Sequence, residues 1–494
     1  MAFPDWVKKQ KKQGYEIKCI RGQYYIYKLK SKWDPKRGKA KKVSGEYIGK
    51  VTPDGIIPKK KRVDADAPVF ALEYGATAFV TSLAGNLLDE LKMYFPASTA
   101  ERIYAAATLR LMSRCPFCRV GDHYETSWTK RLLPGLSLSP ASITGLLDMV
   151  GGNRAACAAF MRGTMGASPY YLVDGTRTVS LSDGIFRAAP GHSRTKGFLP
   201  QINQVYVMAV SDVGGAPAFY RNVAGNIPDV TALKLTMEDA GASGAIFIGD
   251  TGFASSDNFT LLSEAGFDYI VPLKRDTAEV NLDSVVFEDV FSYHHRTISV
   301  CAEAREDYRV LVFRDEKMRS DEMTDFVERA EKANATAMAK KKFDPAKDVL
   351  RDISSETMAK TAEFGIIVIR TSLMKQAPQE IYEAYKLRWQ IEQLFDTMRN
   401  VCENDASYMH DDAGFEAWSF IGHITLMVAC QILSLLKEKK MSKQWSLAGI
   451  LDYLSRVYAV QVADEWKVAE TTKKTRDLAA KIGLDFSVPP HLSA

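Results

Sequence analysis

The pattern of hydrophobic and polar positions changes several times along the chain. Residues 15–57 alternate short apolar runs with glycine-containing turns, which predicts a small β-rich unit. From 70 to 165 the apolar residues recur at three- and four-residue intervals, which predicts helices. One of these helices should begin at Ser139-Pro140, since proline is favoured in the first helical turn. From Tyr170 onward short strand-like runs alternate with helical stretches, which indicates a mixed α/β sheet.

The α/β region can be divided further. The predicted elements are a strand at 170–173 that ends at Asp174, a hairpin at 205–210 and 218–223, a helix at 228–240, a strand at 245–248, a helix at 256–265 and a strand at 269–273. Residues 276–361 break this rhythm with β-like stretches at 285–287, 297–301 and 308–313 and then charged helical sequence, so we interpret them as an insertion. A strand at 364–369, one long helix at 379–400 and helices within 415–458 follow.

We therefore expect a chain of several regions, as its 494 residues allow. They are a basic β-rich unit (1–65), a helical domain (66–165), an α/β core in two parts (166–275 and 362–440), the insertion between those parts (276–361) and a C-terminal helical region (441–494). Phe420–Leu436 is the most apolar run, but it contains His423 and Gln431, and we interpret it as a buried helix.

Charge is distributed unevenly between the ends of the chain. Residues 1–62 hold 19 Lys and Arg against 5 Asp and Glu, whereas the whole chain has a net charge of +5. A basic arm on a mildly acidic body favours a polyanionic partner, with nucleic acid first, although a solvated lysine-rich tail has the same composition. The seven cysteines are scattered and odd in number, and the N-terminus is polar; both features are typical of a reduced cytoplasmic protein.

Two aspartates follow predicted buried strands. Asp174 and Asp250 would lie where side chains project into a crevice at the carboxyl ends of strands. A charge at such a place is costly unless it is paired or binds a metal. Each aspartate could simply cap the following turn. Together they suggest an oxygen-rich site suited to Mg²⁺ or Mn²⁺.

The predicted helix at 379–400 offers a third carboxylate. On one continuous helix, Tyr385, Arg388, Glu392 and Arg399 would share a face, beside an apolar face that packs on the core. Arg388 and Glu392 are four residues apart, so a surface ion pair is the alternative to a functional site.

These residues resemble the signature of a known family. The spacing Tyr385-x2-Arg388-x3-Glu392-x6-Arg399 is similar to the Y-R-E-K signature of prokaryotic insertion-sequence transposases of the DDE superfamily. Asp174-Gly-Thr, Asp250-Thr-Gly-Phe and the segment 224–229 extend the resemblance, which covers about residues 15–480. Arg399 departs from the pattern, because it stands where the signature has lysine; it keeps the positive charge and changes the geometry.

The resemblance implies an RNase H-like core in which Asp174, Asp250 and Glu392 hold two Mg²⁺ or Mn²⁺ ions for DNA strand cleavage and strand transfer. Tyr385, Arg388 and Arg399 would contact phosphates at the transposon end. It also implies a homodimer on paired terminal inverted repeats and target DNA, without a membrane, at the nucleoid in the cytoplasm. In hairpin-forming relatives an aromatic residue holds a flipped base, for which Phe291, Tyr293 and Trp389 are candidates.

Several alternatives stay open at this level. A catalytically silent DNA-binding relative, or a nuclease that cuts without joining, would have the same fold. Lys274-Arg275 follow a strand and could contact the DNA backbone or be solvated. Cys115 and Cys118 with His123 hint at zinc, but no second pair lies at a suitable spacing. No phosphate-binding loop, dinucleotide glycine pattern or nucleophile elbow is found, which disfavours ATP-, NAD- and serine-hydrolase chemistry.

Overall fold

A computed structural model describes residues 3–35, 37–59, 70–166, 168–190, 199–210, 214–227, 229–241, 244–339, 350–400, 406–462 and 465–486. The chain divides into two compact units, one formed by Met1–Phe70 with Gln461–Glu465 and the other by the remainder. The predicted linker at 59–68 lies almost entirely outside the described residues.

The N-terminal unit is a small antiparallel sheet beside one short helix. Its elements are α1 (Asp5–Lys9), β1 (Tyr15–Ile20), β2 (Gln23–Asp34), β3 (Lys39–Thr52) and β4 (Gly55–Pro58), and the strands pair in that order. Val7, Ile17, Ile26 and Val51 form its small core. The alternation of apolar and polar residues therefore predicted this unit correctly.

The next region is helical, as its periodicity predicted. It comprises β5 (Ala71–Glu73), α2 (Gly75–Ala84), α3 (Leu87–Tyr94), α4 (Ala97–Ser113), α5 (Val120–Thr126), α6 (Thr129–Leu132), α7 (Pro140–Gly151) and α8 (Arg154–Thr164). Helix α7 begins where expected: the Ser139 side chain accepts a hydrogen bond from the Ser142 amide, with Pro140 in the first turn.

An eleven-stranded mixed sheet forms the centre of the second unit. Its strands are β6 (Tyr170–Ser180), β7 (Ala189–Pro190), β8 (Pro200–Val210), β9 (Gly215–Ala224), β10 (Ile246–Ile248), β11 (Asp268–Leu273), β12 (Asp289–Tyr293), β13 (Arg296–Ala304), β14 (Arg309–Asp315), β15 (Ile366–Thr371) and β16 (Ala406–Ser407). The order is β12-β13-β14-β15-β11-β10-β6-β8-β7, with β9 beside β8 and β16 beside β6. Helices α9 (Asp229–Ala240), α10 (Ser256–Glu264), α11 (Glu316–Met338) and α12 (Ile353–Ala359) connect these strands.

Three predicted elements differ from the structure. Strand β6 does not end at Asp174 but continues to Ser180, because β8 pairs along most of its length. Residues 285–287 are not a strand; the strand lies at 289–293, where it pairs with β13. The strands of the expected insertion do not stand apart, because β14 pairs with β15 and so extends the central sheet.

The predicted helix at 379–400 is interrupted. It consists of α13 (Pro378–Lys386) and α14 (Trp389–Asn400), separated by a turn at Leu387–Arg388. Amides in this turn bond to carbonyls three residues back, as Arg388 does to Tyr385, so the chain tightens between the two helices. The prediction of one continuous helix was wrong, and with it the single common face.

The remaining elements are α15 (Asp412–Glu438), α16 (Leu447–Leu454), β17 (Tyr458–Val462), β18 (Glu465–Val468) and α17 (Lys473–Lys481). The C-terminal region is therefore not purely helical, since β17 joins β5 and β18 in a small sheet. Among the described residues, α15 is the one helix long and apolar enough to cross a membrane, and 72% of its most apolar window is buried inside the protein. The interpretation of this run as a buried helix is confirmed.

A buried carboxylate joins α15 to the sheet. The Glu416 side chain is only 6% exposed and accepts from the guanidinium groups of Arg154 at 2.9 Å and Arg187 at 3.2 Å. The Tyr220 hydroxyl and the Asn222 amide each donate to it at 2.9 Å. Since a buried charge is tolerated when it is paired and hydrogen-bonded, this cluster fixes α15 against β9 and α8.

His423, two turns further along α15, should make folding sensitive to acid. Burial, aided by Arg154, lowers the pKa of His423 to about 3. The unfolded chain then takes up the proton near pH 6.5 and the folded chain does not, so stability should fall by about 1.4 kcal/mol per pH unit from near 6.5 down towards 3. Replacing His423 by Phe should flatten this part of the dependence, which urea unfolding at a series of pH values would measure. An unchanged slope in the variant would contradict the assignment.

Candidate active site

Asp174 lies within β6, and Asp250 follows the end of the neighbouring parallel strand β10. The register of β6 and β10 pairs Leu172 with Ile248, and each aspartate is two residues further along its own strand direction. Adjacent strands are about 4.8 Å apart, so Asp174 lies close to the end of β10, which Asp250 follows. The prediction that Asp250 follows a buried strand is confirmed, whereas Asp174 lies inside its strand.

Each aspartate is held by the backbone that follows it. Asp174 Oδ1 accepts from the Gly175 amide at 2.8 Å, and Asp250 Oδ1 accepts from the Thr251 amide at 2.6 Å. Asp250 also begins a short 3-10 turn at Thr251–Phe253. These bonds fix the side-chain rotamers, because they leave each carboxylate little freedom to turn.

One arginine contacts both carboxylates. Arg388 lies in the turn between α13 and α14, and its guanidinium reaches Asp250 Oδ1 at 3.2 Å and Asp174 Oδ2 at 3.8 Å. All three side chains are partly shielded, with exposed fractions of 24%, 39% and 19% respectively. Burial lowers the pKa of Arg388, whereas the negative charges of Asp250 and Asp174 raise it. The net result is a pKa of Arg388 above its ordinary value. Its ion pair with Asp174 and Asp250 was not predicted from the sequence.

Tyr385 and Glu392 flank this arginine. The Tyr385 hydroxyl oxygen accepts a hydrogen bond from Arg388. Burial raises the pKa of Tyr385; Arg388 lowers it, and the nearby Asp250 and Glu392 raise it, with a net upward shift. Glu392 lies on the first turn of α14, is exposed, and acts electrostatically on both Arg388 and Tyr385. The structure thus brings four of the predicted residues into one group around Arg388.

The three carboxylates of Asp174, Asp250 and Glu392 do not surround a common point. Within the described ranges, no three acidic, histidine or cysteine side chains are close enough to share a metal ion. Arg388 stands between Asp174 and Asp250 instead. Chemically the group offers hard oxygen donors, a guanidinium suited to phosphate and a phenol in one partly shielded place.

Comparison with known proteins bears on the family to which the chain belongs. A family model described as a transposase DDE domain matches residues 172–428, slightly more than half of the chain and a span that includes this whole group. The chain belongs to this transposase family. No curated protein matches it. Among solved structures, a piggyBac transposase synaptic complex with hairpin DNA is similar with a TM-score of 0.40 and 9% identity, over 87% of this chain and 89% of that one.

The other cations predicted for this transposase are placed differently. Arg399 is exposed on α14, seven residues beyond Glu392 and so about 10 Å along the helix. Lys274 is exposed at the carboxyl end of β11, which runs parallel to β10. Arg275 bonds to Glu322 at 2.7 Å and to the Ile366 carbonyl at 2.9 Å. These contacts tie Arg275 to α11 and β15, so of the two adjacent cations Lys274 is the more exposed.

The aromatic candidates also differ in environment. Phe291 packs edge-on against Phe313 and Tyr382. Tyr293 packs against Tyr382 as well, but it also lines a cavity of about 920 Å³. Trp389 lines the same cavity and is 47% exposed. Of the three residues, Trp389 has the most surface open to a ligand.

The cysteine pair of the transposase lies in the helical region. Cys115 is buried and Cys118 is exposed, and both are free thiols. Burial raises the pKa of the Cys115 thiol, which disfavours the thiolate that zinc requires. Neither cysteine belongs to a metal-binding cluster in the described part of the chain.

Proposed function

We propose that this transposase is an insertion-sequence enzyme of prokaryotic type that cleaves DNA at transposon ends and joins it to target DNA by a cut-and-paste route. The observation that carries the proposal is the contact of Arg388 with both Asp174 and Asp250, within a matched DDE domain. In this proposal the mixed sheet is an RNase H-like core, Glu392 is the third acidic residue, and Tyr385, Arg388, Glu392 and Arg399 form a Y-R-E-K type signature with arginine in the last position.

The acidic residues fit divalent metal ions. Carboxylates are the ligands that Mg²⁺ and Mn²⁺ prefer, and Asp174 and Asp250 already face the same place. Asp174, Asp250 and Glu392 would hold the ions. When bound, two such ions supply an activated water or 3′-hydroxyl and stabilise the leaving oxygen at phosphorus.

Arg388 would serve two states of the site. Without DNA it neutralises Asp174 and Asp250, whose charges would otherwise repel one another at close range. With DNA, its planar guanidinium can bind a phosphate in bidentate fashion, and Tyr385 already accepts a bond from it. The same side chain would therefore hold Asp174 and Asp250 together and position the scissile strand.

This role predicts an effect on metal binding. Replacing Arg388 by Met should make DNA-free protein bind Mn²⁺ about fivefold more tightly, since metal binding no longer has to displace ion pairs worth about 1 kcal/mol. Electron paramagnetic resonance of free Mn²⁺ measures this directly. Arg399→Met, on the exposed face of α14, is the matched control and should leave affinity unchanged. Equal or weaker Mn²⁺ binding in the Arg388 variant, with its fold intact by circular dichroism, would contradict the role.

The function itself is tested with labelled DNA from either side of the reading frame. In Mg²⁺, we expect cleavage near the end of an inverted repeat and covalent joining of that end to a second duplex. Cleaved ends with no joined product would favour a nuclease of the same fold. Binding without cleavage in Mg²⁺ and in Mn²⁺ would favour a catalytically silent DNA-binding protein.

The proposal includes where and how the enzyme works. Two copies would pair the transposon ends, in the cytoplasm at the nucleoid. Regions 166–275 and 362–440 would form the catalytic core, with 276–361 inserted between them. The basic region 1–65 would contact DNA. The helical region 66–165 would support the core, and the C-terminal region 441–494 would follow it. Lys274, Arg275 and Arg399 would contact DNA backbone, Lys274 most directly, because Arg275 is already paired with Glu322.

A further inference from the structure

The outer part of the β2–β3 hairpin has no neighbouring strands. β1 pairs with β2 only as far as Lys28, and β4 pairs with β3 only from Gly49 onward. Beyond these points, residues 29–34 of β2 pair with residues 39–44 of β3 alone. We call this two-stranded segment the ribbon; its six residues per strand span about 20 Å.

One side of the ribbon is lined with lysine. Lys30 and Lys32 alternate along β2 and so point the same way. The register places Lys41 opposite Lys32 and Lys39 opposite Asp34 on that side. All four lysines are exposed. Lys32 and Lys41 are like charges directly opposite one another, an arrangement that destabilises a strand pair and that a polyanion lying against this side would relieve.

The ribbon also lacks a core that could explain it. Its side chains are exposed or only partly covered, and the four buried residues of this unit all lie outside it. A two-stranded hairpin is marginally stable in water on its own. On the opposite side, near the turn, Trp33 is 63% exposed, which is costly for so large an apolar group without a partner.

We propose that the ribbon enters the major groove of duplex DNA, with its lysines on the flanking phosphates and Trp33 near the base edges. The major groove is about 12 Å wide and about 8.5 Å deep and admits a two-stranded ribbon. Phosphate contacts from lysine position a protein on the duplex. The inference rests on the proposed function in one respect: the duplex is DNA that the transposase acts on.

The lysines can be tested without disturbing the fold, because they are exposed. The full-length triple variant Lys30→Ala, Lys32→Ala, Lys41→Ala is compared with Lys9→Ala, Lys11→Ala, Lys12→Ala, which removes the same charge from exposed positions of the same unit. On a mixed-sequence duplex, the ribbon variant should bind about tenfold more weakly, and its dependence of log affinity on log salt should be shallower by about 0.9 per lost phosphate contact. The control should lose less affinity than the ribbon variant, because its lysines lie outside the ribbon, and replacing the same three ribbon lysines by Arg should restore binding.

The groove is tested by blocking it. A duplex whose cytosines carry glucosylated hydroxymethyl groups fills the major groove, whereas netropsin fills the minor groove of A·T sequence. We expect the wild-type protein to lose affinity for the glucosylated duplex and to tolerate netropsin. The reverse result, or equal sensitivity in wild-type protein and the ribbon variant, would overturn the proposal.

The experiments give different results if the ribbon proposal is wrong and if the proposed function is wrong. If the lysines only protect an open strand edge from self-association, the ribbon variant will bind DNA normally and form larger species on size exclusion, while strand cleavage remains intact. If the proposed function is wrong, the wild-type protein will neither cleave nor join DNA, whatever the ribbon variant does.

Discussion

Asp174→Ala, Asp250→Ala and Glu392→Ala should each abolish strand cleavage while leaving DNA binding nearly unchanged. A lost metal ligand removes several kcal/mol of transition-state stabilisation, which corresponds to about a thousandfold or more in rate. Binding should persist, because most of its free energy comes from cations that contact phosphate. The measurement is cleavage of a labelled transposon-end duplex in Mg²⁺ and, separately, its retention in a gel at matched salt.

Asp396→Ala is the control for Glu392→Ala. Asp396 is an exposed carboxylate one turn further along α14, so its removal changes net charge and helix composition in the same way. Full activity in a variant of Asp174, Asp250 or Glu392 would remove that residue from the site. Loss of cleavage in the Asp396 variant together with activity in the Glu392 variant would move the third ligand by one turn.

Glu416→Ala should lower the free energy of unfolding by about 3 kcal/mol, the smaller end of the cost of breaking a buried ion pair. Glu416 accepts four bonds from residues on α8, on β9 and at Arg187, and its removal deprives Arg154 and Arg187 of their shared carboxylate. Both arginines keep some exposure, 30% and 40%, so water offsets part of the loss. Urea unfolding followed by circular dichroism measures the change.

Glu416→Gln and Glu438→Ala complete that experiment. Glutamine keeps the shape and part of the hydrogen bonding, so its cost should lie between those of wild type and alanine. Glu438 is an exposed residue at the other end of α15, and its loss should change stability by less than about 0.5 kcal/mol. Equal stability of wild type and Glu416→Ala would show that the cluster contributes nothing to folding.

Local patterns were enough to predict most elements but not their ends. Strand β6 continues past Asp174 through Gly175, although glycine and the polar residues after it are typical of a turn. Pairing with β8 decides the outcome, and that pairing is set by tertiary context. The break between α13 and α14 has no proline or glycine to announce it, so a continuous helix was the natural prediction.

The candidate site was partly predictable for a physical reason. An aspartate directly after an apolar strand is rare enough to stand out, and the parallel register of β6 and β10 then brings Asp174 and Asp250 together. The contact of Arg388 with both depends on the turn between two helices, which no periodicity encodes. Glu416 was missed because its partner Arg154 lies 262 residues earlier in the chain, a separation at which a single sequence gives no pairing information.

The long ladder between β6 and β8 has a consequence for how this chain tolerates change. Strand side chains alternate with a period of two, so a shift of one residue turns every side chain to the other surface of the sheet. Inserting or deleting one residue between Tyr170 and Asp174 would therefore rotate Asp174 away from Asp250, unless the whole ladder slid to compensate. The number of residues in this strand is therefore constrained as strictly as the identity of Asp174. Insertion of a single small residue there should reduce activity as much as removal of the Asp174 carboxylate.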